Sequence, residues 1–228
     1  MTQVLDKIKG KLIVSCQARE GWPMYGTEIM AAFAKAAEQG GAAGIRATGA
    51  DNIAKIKEKV NLPIIGINKQ FRDEFDVYIT PTYESAKEIL DLGIDIIALD
   101  ATPRSRPEGE RIEDIVERIL KEYPNTLIMG EISTIEEAKR ILPMGFHLIS
   151  TTLSGFTKES EEVASVNLEL IRQIRQITEL PIIAEGKIVK EEEAVAAMKA
   201  GAHAVVVGTS ITRPEIITER YVRALRNS

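Results

Sequence analysis

Two side chains suited to moving a proton stand just past short apolar runs. Lys69 follows PIIGI (Pro63–Ile67), and Glu185 closes PIIAE (Pro181–Glu185). A free lysine titrates near ~10.4 and is a poor base at neutrality. Apolar neighbours such as Ile65 and Ile67, with Arg46 nearby, would lower its pKa toward a useful range. Asp100 ends DIIALD and Glu131 lies in TLIMGEI, where either would orient the lysine or bind substrate hydroxyls. Paired with Lys69 as ions, these carboxylates would raise its pKa, so the two influences compete. A second group of residues suits an anion. Gly186-Lys187 and Gly208-Thr209-Ser210 form two glycine turns, and Arg213 adds a fork of donors just beyond them. Glycine turns of this kind hold phosphate through backbone N–H groups.

These residues need a scaffold that gathers them. Eight strand-like runs alternate with helical periodicity: Leu12–Cys16, Gly44–Ala47, Pro63–Ile67, Asp95–Asp100, Thr126–Ile132, His147–Thr152, Pro181–Glu185 and Ala204–Gly208. Most are continuously apolar, as parallel strands buried on both faces require. Runs two, four, six and eight follow Gly41, Gly93, Gly145 and Gly201, whereas runs three, five and seven follow Pro63, Pro124 and Pro181. That alternation implies a βαβα unit used four times, which closes into a (β/α)8 TIM barrel of the phosphate-binding type. Residues 1–228 read as one domain. Chemistry in such barrels sits at the C-terminal strand ends. Gln17, Arg46, Lys69, Asp100, Glu131, Thr151, Glu185 and Gly208 therefore share one rim, and His147 and His203 lie at the opposite end. VYIT (Val77–Thr80) is expected as a small extra strand near the mouth. Ser133 with Glu136 reads as a capping box, and Pro214 opens a last helix with an apolar face of Ile217, Tyr221 and Leu225. The polar loop Ser154–Val166 reads as a lid, with Gly155 as its hinge and Phe156 over the substrate.

Composition narrows the partners. A net charge of −5 argues against a nucleic-acid partner, which needs a basic face. Cys16 is the lone cysteine, so a reducing, cytoplasmic setting is expected. The charged N-terminal residues are unlike a signal peptide, and no apolar run is long enough for a membrane span. Two histidines at the wrong end of a barrel offer no metal site, so neither metal nor cofactor is expected.

The motifs SCQA (Ser15–Ala18), LPIIGINK (Leu62–Lys69), ALDAT (Ala98–Thr102), EIST (Glu131–Thr134), STTLSGFT (Ser150–Thr157), AEGKI (Ala184–Ile188) and VVVGTSITRP (Val205–Pro214) resemble the N-acylglucosamine-6-phosphate 2-epimerases. The resemblance runs from the first strand to the last helix. It implies epimerisation at C2 between N-acetylmannosamine 6-phosphate and N-acetylglucosamine 6-phosphate, a step of amino-sugar and sialic acid catabolism. It also implies Lys69 and Glu185 as the catalytic pair. Gln17 and Arg46 would then match substrate-binding positions, and Asp100, Glu131 and Thr151, read from the strand ends, would complete the substrate-binding set. Gly186, Lys187, Gly208, Thr209 and Arg213 would hold the phosphate, in a homodimer that binds a small sugar phosphate. Two positions depart from the pattern: Glu131 stands where the family usually has Asp, and Phe156 stands where Tyr is common.

Overall fold

The computed structural model describes residues 2–227. In chain order the elements are α1 (Thr2–Ile8), β1 (Leu12–Cys16), α2 (Thr27–Gln39), β2 (Gly44–Thr48), α3 (Ala50–Lys59), β3 (Ile64–Ile67), α4 (Tyr83–Leu90), β4 (Ile96–Asp100) and α5 (Ile112–Glu122). They continue with β5 (Leu127–Glu131), α6 (Ile135–Ile141), β6 (Leu148–Ser150), α7 (Leu168–Ile177), β7 (Ile182–Ala184), α8 (Glu191–Lys199), β8 (Ala204–Val207), α9 (Thr209–Thr212) and α10 (Pro214–Arg226). The eight strands pair in sequence order, all parallel, and β1 closes against β8 through Leu12–Val205, Ile13–Val206 and Val14–Val207. This is the expected (β/α)8 barrel. β1 matches its apolar run and β2 extends one residue further, to Thr48, whereas the other strands come out shorter, with end residues such as Pro63, Thr152 and Glu185 lying outside them.

Gly41, Gly93, Gly145 and Gly201 all take positive φ, from 66° to 112°, which residues with a Cβ adopt only under strain. The punctuation is thus a backbone code: each glycine ends a helix and turns the chain back toward the next strand.

Two apolar layers hold the barrel. One fills its interior with Ile13, Ile65, Ile67, Ile96, Leu127, Met129, Leu148, Ile183 and Val206, closed from below by Ile8 of α1. The other lies between strands and helices, where Ile53, Ile56, Ile115, Val116, Ile119, Ile171 and Ile174 are buried. Each such side chain contributes about 1.5–3 kcal/mol by leaving water. The histidines serve the lower end. His147 Nδ1 accepts the Ile128 N–H at 3.0 Å, and His203 Nε2 lies 2.9 Å from the Leu5 carbonyl, tying α1 down.

Some local expectations change. The capping box is Thr134 with Glu137, one residue later than expected, because Thr134 is the last extended residue before α6. Glu137 also accepts from the Ser133 N–H and hydroxyl at 2.6 and 2.8 Å. VYIT forms a single antiparallel bridge, Lys69 to Ile79, rather than a strand. Pro214 opens α10 as expected, yet α10 has no buried residue, and Tyr221 and Leu225 are 70% and 76% exposed. Of the expected apolar face only Ile217 is half-buried, while Tyr221 and Leu225 stay largely in solvent.

Candidate active site

The β3 end shows how the mouth is built. Thr80 is fully buried with φ 46°, a left-handed conformation that costs a non-glycine residue about 1–3 kcal/mol. Its bonds over-determine it. Thr80 N donates to Asn68 O at 2.9 Å, its hydroxyl donates to Ala98 O at 2.8 Å, and Asn68 N donates back to that hydroxyl at 3.1 Å. The twist pins Val77–Thr80 across the ends of β3 and β4, burying Val77 and Ile79 and turning Tyr78 into the mouth. Lys69 is fixed on both sides of its backbone, by the bridge to Ile79 and by its N–H donating to Thr48 Oγ1 at 3.1 Å.

A cavity of about 510 Å³ opens at this end of the barrel. Gln17, Arg46, Lys69, Glu185, Gly186, Lys187, Gly208, Thr209 and Arg213 line it, with Ser15, Arg19, Trp22, Tyr78, Thr152, Phe156 and Arg220. At its base Arg46 is 1% exposed and grips two carboxylates. Its Nη2 donates to Glu131 Oε1 at 2.5 Å, and its Nη1 lies 3.1 Å from Glu185 Oε1. Glu185 takes a further bond from the Thr152 hydroxyl at 3.2 Å.

Burial and this cluster set the titration of the two catalytic candidates. Burial, reinforced by the Arg46 charge, lowers Lys69 to about 8, against the opposing pull of Glu131 and Glu185. The two influences left open by the sequence are thereby ordered: desolvation wins. Burial raises Glu185 to about 7, and Arg46 only partly offsets it. For Arg46, burial works toward deprotonation, but Glu131 and Glu185 outweigh it and hold the guanidinium charged. Tyr78 is raised by burial and by Glu131, so its phenol stays protonated. Cys16, pushed up to about 12 by burial, is an inert thiol.

Several polar atoms at the base are buried without a partner: Gln17 Oε1, Arg46 Nε and Glu131 Oε2. Buried polar groups are normally satisfied, so such a cluster marks where a polar ligand belongs. Gln17 is oriented by its amide N–H donating to Ser15 Oγ at 2.6 Å.

Three expected substrate contacts, Asp100, Glu131 and Thr151, do not line the cavity. Asp100 is fully buried under its own loop. It accepts from Thr102 N at 2.9 Å, Thr102 Oγ1 at 2.7 Å and Arg104 Nη2 at 2.7 Å, and so it locks the turn after β4. Thr151 points between strands instead. Its hydroxyl donates to Glu185 O at 2.9 Å and accepts from Glu185 N at 3.2 Å, which holds the backbone of Glu185. Glu131 touches the site through Arg46. Lys187 lines the cavity, but its ammonium donates to Val163 O and lies 5.2 Å from the Phe156 ring. It therefore ties the loop after β6 to the loop after β7. That loop is knotted rather than loose: Ser160, 2% exposed, accepts from Gly155 N at 2.8 Å, and Thr157 Oγ1 donates to Ser133 Oγ at 2.9 Å.

Sequence reasoning missed Tyr78, Arg19 and Arg220. The alternation in VYIT, with Val77 and Ile79 inward, was a signal for Tyr78. Arg19 and Arg220 carried none.

The fold and the cavity define a (β/α)8 barrel with titratable groups of shifted pKa in its mouth and cations around its rim. Comparison with known proteins then gives the family. A family model described as "Putative N-acetylmannosamine-6-phosphate epimerase" matches residues 30–227. A relative from Caldanaerobacter subterraneus subsp. tengcongensis, named "Putative N-acetylmannosamine-6-phosphate 2-epimerase", is 47% identical over 223 residues, covering 98% of this chain and 94% of that protein. The solved structure of the N-acetylmannosamine-6-phosphate 2-epimerase from Clostridium perfringens superposes with a TM-score of 0.93 at 45% identity, over 96% of this chain and 95% of that one. The chain belongs to the N-acetylmannosamine-6-phosphate epimerase family, whose members are isomerases.

Proposed function

We propose that the protein interconverts N-acetylmannosamine 6-phosphate and N-acetylglucosamine 6-phosphate by removing and returning the proton at C2. One observation carries the mechanism: an amine at about 8 and a carboxyl at about 7 share one cavity base around Arg46. In the open-chain sugar the C2 proton is acidic because the C1 aldehyde takes the charge as an enolate. Neutral Lys69 accepts the proton, and the C–H electron pair moves into the enolate. Arg46 supplies positive charge to the developing oxyanion, and Gln17 Oε1 is free to accept the acetamido N–H. Inversion needs a proton delivered to the opposite face, and Glu185 in its acid form supplies it. Gly186, Gly208, Thr209 and Arg213 hold the phosphate, whose binding energy fixes C2 against the amine. The scheme needs no metal or cofactor. Among the described residues no group of three or more His, Cys, Asp or Glu could hold a metal.

We read residues 1–228 as one catalytic domain acting in the cytoplasm as a homodimer. Among the described residues no helix is long and apolar enough to cross a membrane. Supporting the dimer, α10 exposes Tyr221 and Val222, and a groove of about 300 Å³ beside α8, lined by Ala194 and Met198, exposes Val195 and Ile211.

The test is incubation with N-acetylmannosamine 6-phosphate in deuterated water, followed at C2 by NMR. The expected result is a new epimer carrying deuterium at C2. Absence of both epimer and exchange overturns the reading. Borohydride inactivation in the presence of substrate would instead reveal a Schiff base on Lys69, the mark of a lyase.

A further inference from the structure

Beyond the groups assigned above, the loops after β1 and β3, with Arg213 just past α9, bring an unbroken series of flat groups together beside the cavity. The Arg213 guanidinium carbon lies 3.6 Å from the centre of the Trp22 ring. Arg19 lies 5.5 Å from the same ring and 4.2 Å from Phe71. Phe71 stacks on Tyr78 at 4.9 Å and 22°, and Lys69 Nζ is 5.8 Å from the Tyr78 ring. Arg213 also donates from Nε to Glu215 Oε1 at 2.7 Å. Its face is therefore held by Trp22 and one edge by Glu215. Neither contact uses the terminal amines, which are the fork that grips phosphate oxygens.

Two guanidiniums sharing one indole repel each other, and among the described residues no salt bridge reaches Arg19. Stacking on the ring faces offsets part of that repulsion. A dianion bound between the two arginines removes the rest. Arg19, Trp22 and Arg213 all line the same cavity as the two glycine turns.

We propose that Trp22 is a positioning residue for anion recognition, stacking on Arg213 and Arg19 so that both guanidiniums close on the phosphate of a bound sugar phosphate. This rests on the sugar-phosphate reading above and adds Arg19 as a second cationic contact on the loop after β1. Trp22 acts through the arginines and not on C2, so its removal weakens binding and spares the chemical step.

The experiment uses the full chain and four variants: Trp22→Leu, Trp22→Phe, Arg19→Gln and Arg19→Lys. Readouts are KM and kcat for the phosphorylated sugar and the inhibition constant of inorganic phosphate. Trp22→Leu and Arg19→Gln are expected to raise both KM and the phosphate inhibition constant about fivefold to tenfold, with kcat changed by less than about twofold. Trp22→Phe restores most of the loss because it keeps a ring face, and Arg19→Lys restores part because it keeps the charge. Wild-type phosphate inhibition in either Trp22→Leu or Arg19→Gln overturns the clamp. So does a fall in kcat with unchanged KM, or a Trp22→Phe variant no better than Trp22→Leu. Failure of the wild-type chain to turn over the sugar phosphate would count against the parent reading instead, so the two failures are separable.

Discussion

Replacing Glu131 by glutamine tests the charge cluster without emptying its space. Glu131 is fully buried, and its Oε1 accepts from Arg46 Nη2 at 2.5 Å. The amide oxygen of Gln keeps an acceptor there but removes the charge. That charge attracts the Lys69 ammonium and repels the Glu185 carboxylate, so it raises both pKa values. Without it, Lys69 falls below about 8 and Glu185 below about 7. A neighbouring charge typically moves such groups by about one pH unit or more. If turnover requires neutral Lys69 and protonated Glu185, kcat/KM of the wild type peaks between about 7 and about 8. In Glu131→Gln the peak moves acid by about one pH unit. The stability effect is separately readable. Losing the sole partner of a buried charge costs about 3–5 kcal/mol, and Arg46 still has Glu185, so a cost of about 2 kcal/mol is expected. For a chain of this size that is a fall in Tm of ~4–8 °C. The assay is kcat/KM across the neutral range on protein shown to be folded by its melting curve. A peak that stays in place, or moves alkaline, refutes the electrostatic reasoning.

Lys69→Met should lose at least ~10²-fold in kcat and yet gain about 1–2 kcal/mol of stability at neutral pH. The sign follows from a folded pKa near 8, below the unfolded value: the lysine's favourable contribution is complete only above ~10.4 and is lost as pH falls through about 8. The gain is discounted because Lys69 is only partly buried, and an unchanged or lowered Tm would show that the amine is not strained. Arg213→Ala should raise KM for the phosphorylated sugar and bring it toward that of the neutral sugar; an unchanged preference would remove Arg213 from the phosphate end. Deleting Lys158–Glu162 should lower both kcat/KM, by at least ~10-fold, and Tm, because it removes the buried Ser160 tie to Gly155. Wild-type kinetics in that variant would refute any role for the loop in covering the site.

The barrel was legible because its information is local. A glycine that must take positive φ announces itself by type, so Gly41, Gly93, Gly145 and Gly201 marked four helix ends before any contact was known. Lys69 and Glu185 were legible for a related reason: once strands are counted, residues following their ends face the mouth. Asp100 obeys the same rule, yet the cavity excludes it, because Arg104 and Arg106 fold back over it from four and six residues on. Loop closure of that kind has no periodicity. Tyr78 depends on the buried twist at Thr80, which is held by Asn68, just past β3, and by Ala98 of β4. Arg19 gains its place only from rings contributed by two loops. For α10 the amphipathic pattern is visible in the sequence, yet Tyr221 and Leu225 of that face stay exposed, because periodicity does not say what a face packs against.

The opposite shifts of Lys69 and Glu185 have one physical origin. Each group is driven by burial toward its neutral form, one by losing a proton and the other by keeping it. A buried Arg46 between two carboxylates supplies the remaining charge balance: it adds to the pressure on Lys69 and restrains Glu185 from rising further. The result is a pair separated by about one pH unit, so exchanging a proton between them costs only about 1.4 kcal/mol. An epimerase that works in both directions uses its two groups in opposite roles, each giving a proton in one direction and taking one in the other. A base and an acid far apart in pKa would favour one direction of proton flow and then need a slow reset through solvent. Near-matched groups leave the free enzyme in either protonation state at small cost. Glu131, held against the same guanidinium, raises both values together and so sets where on the pH scale the pair is poised.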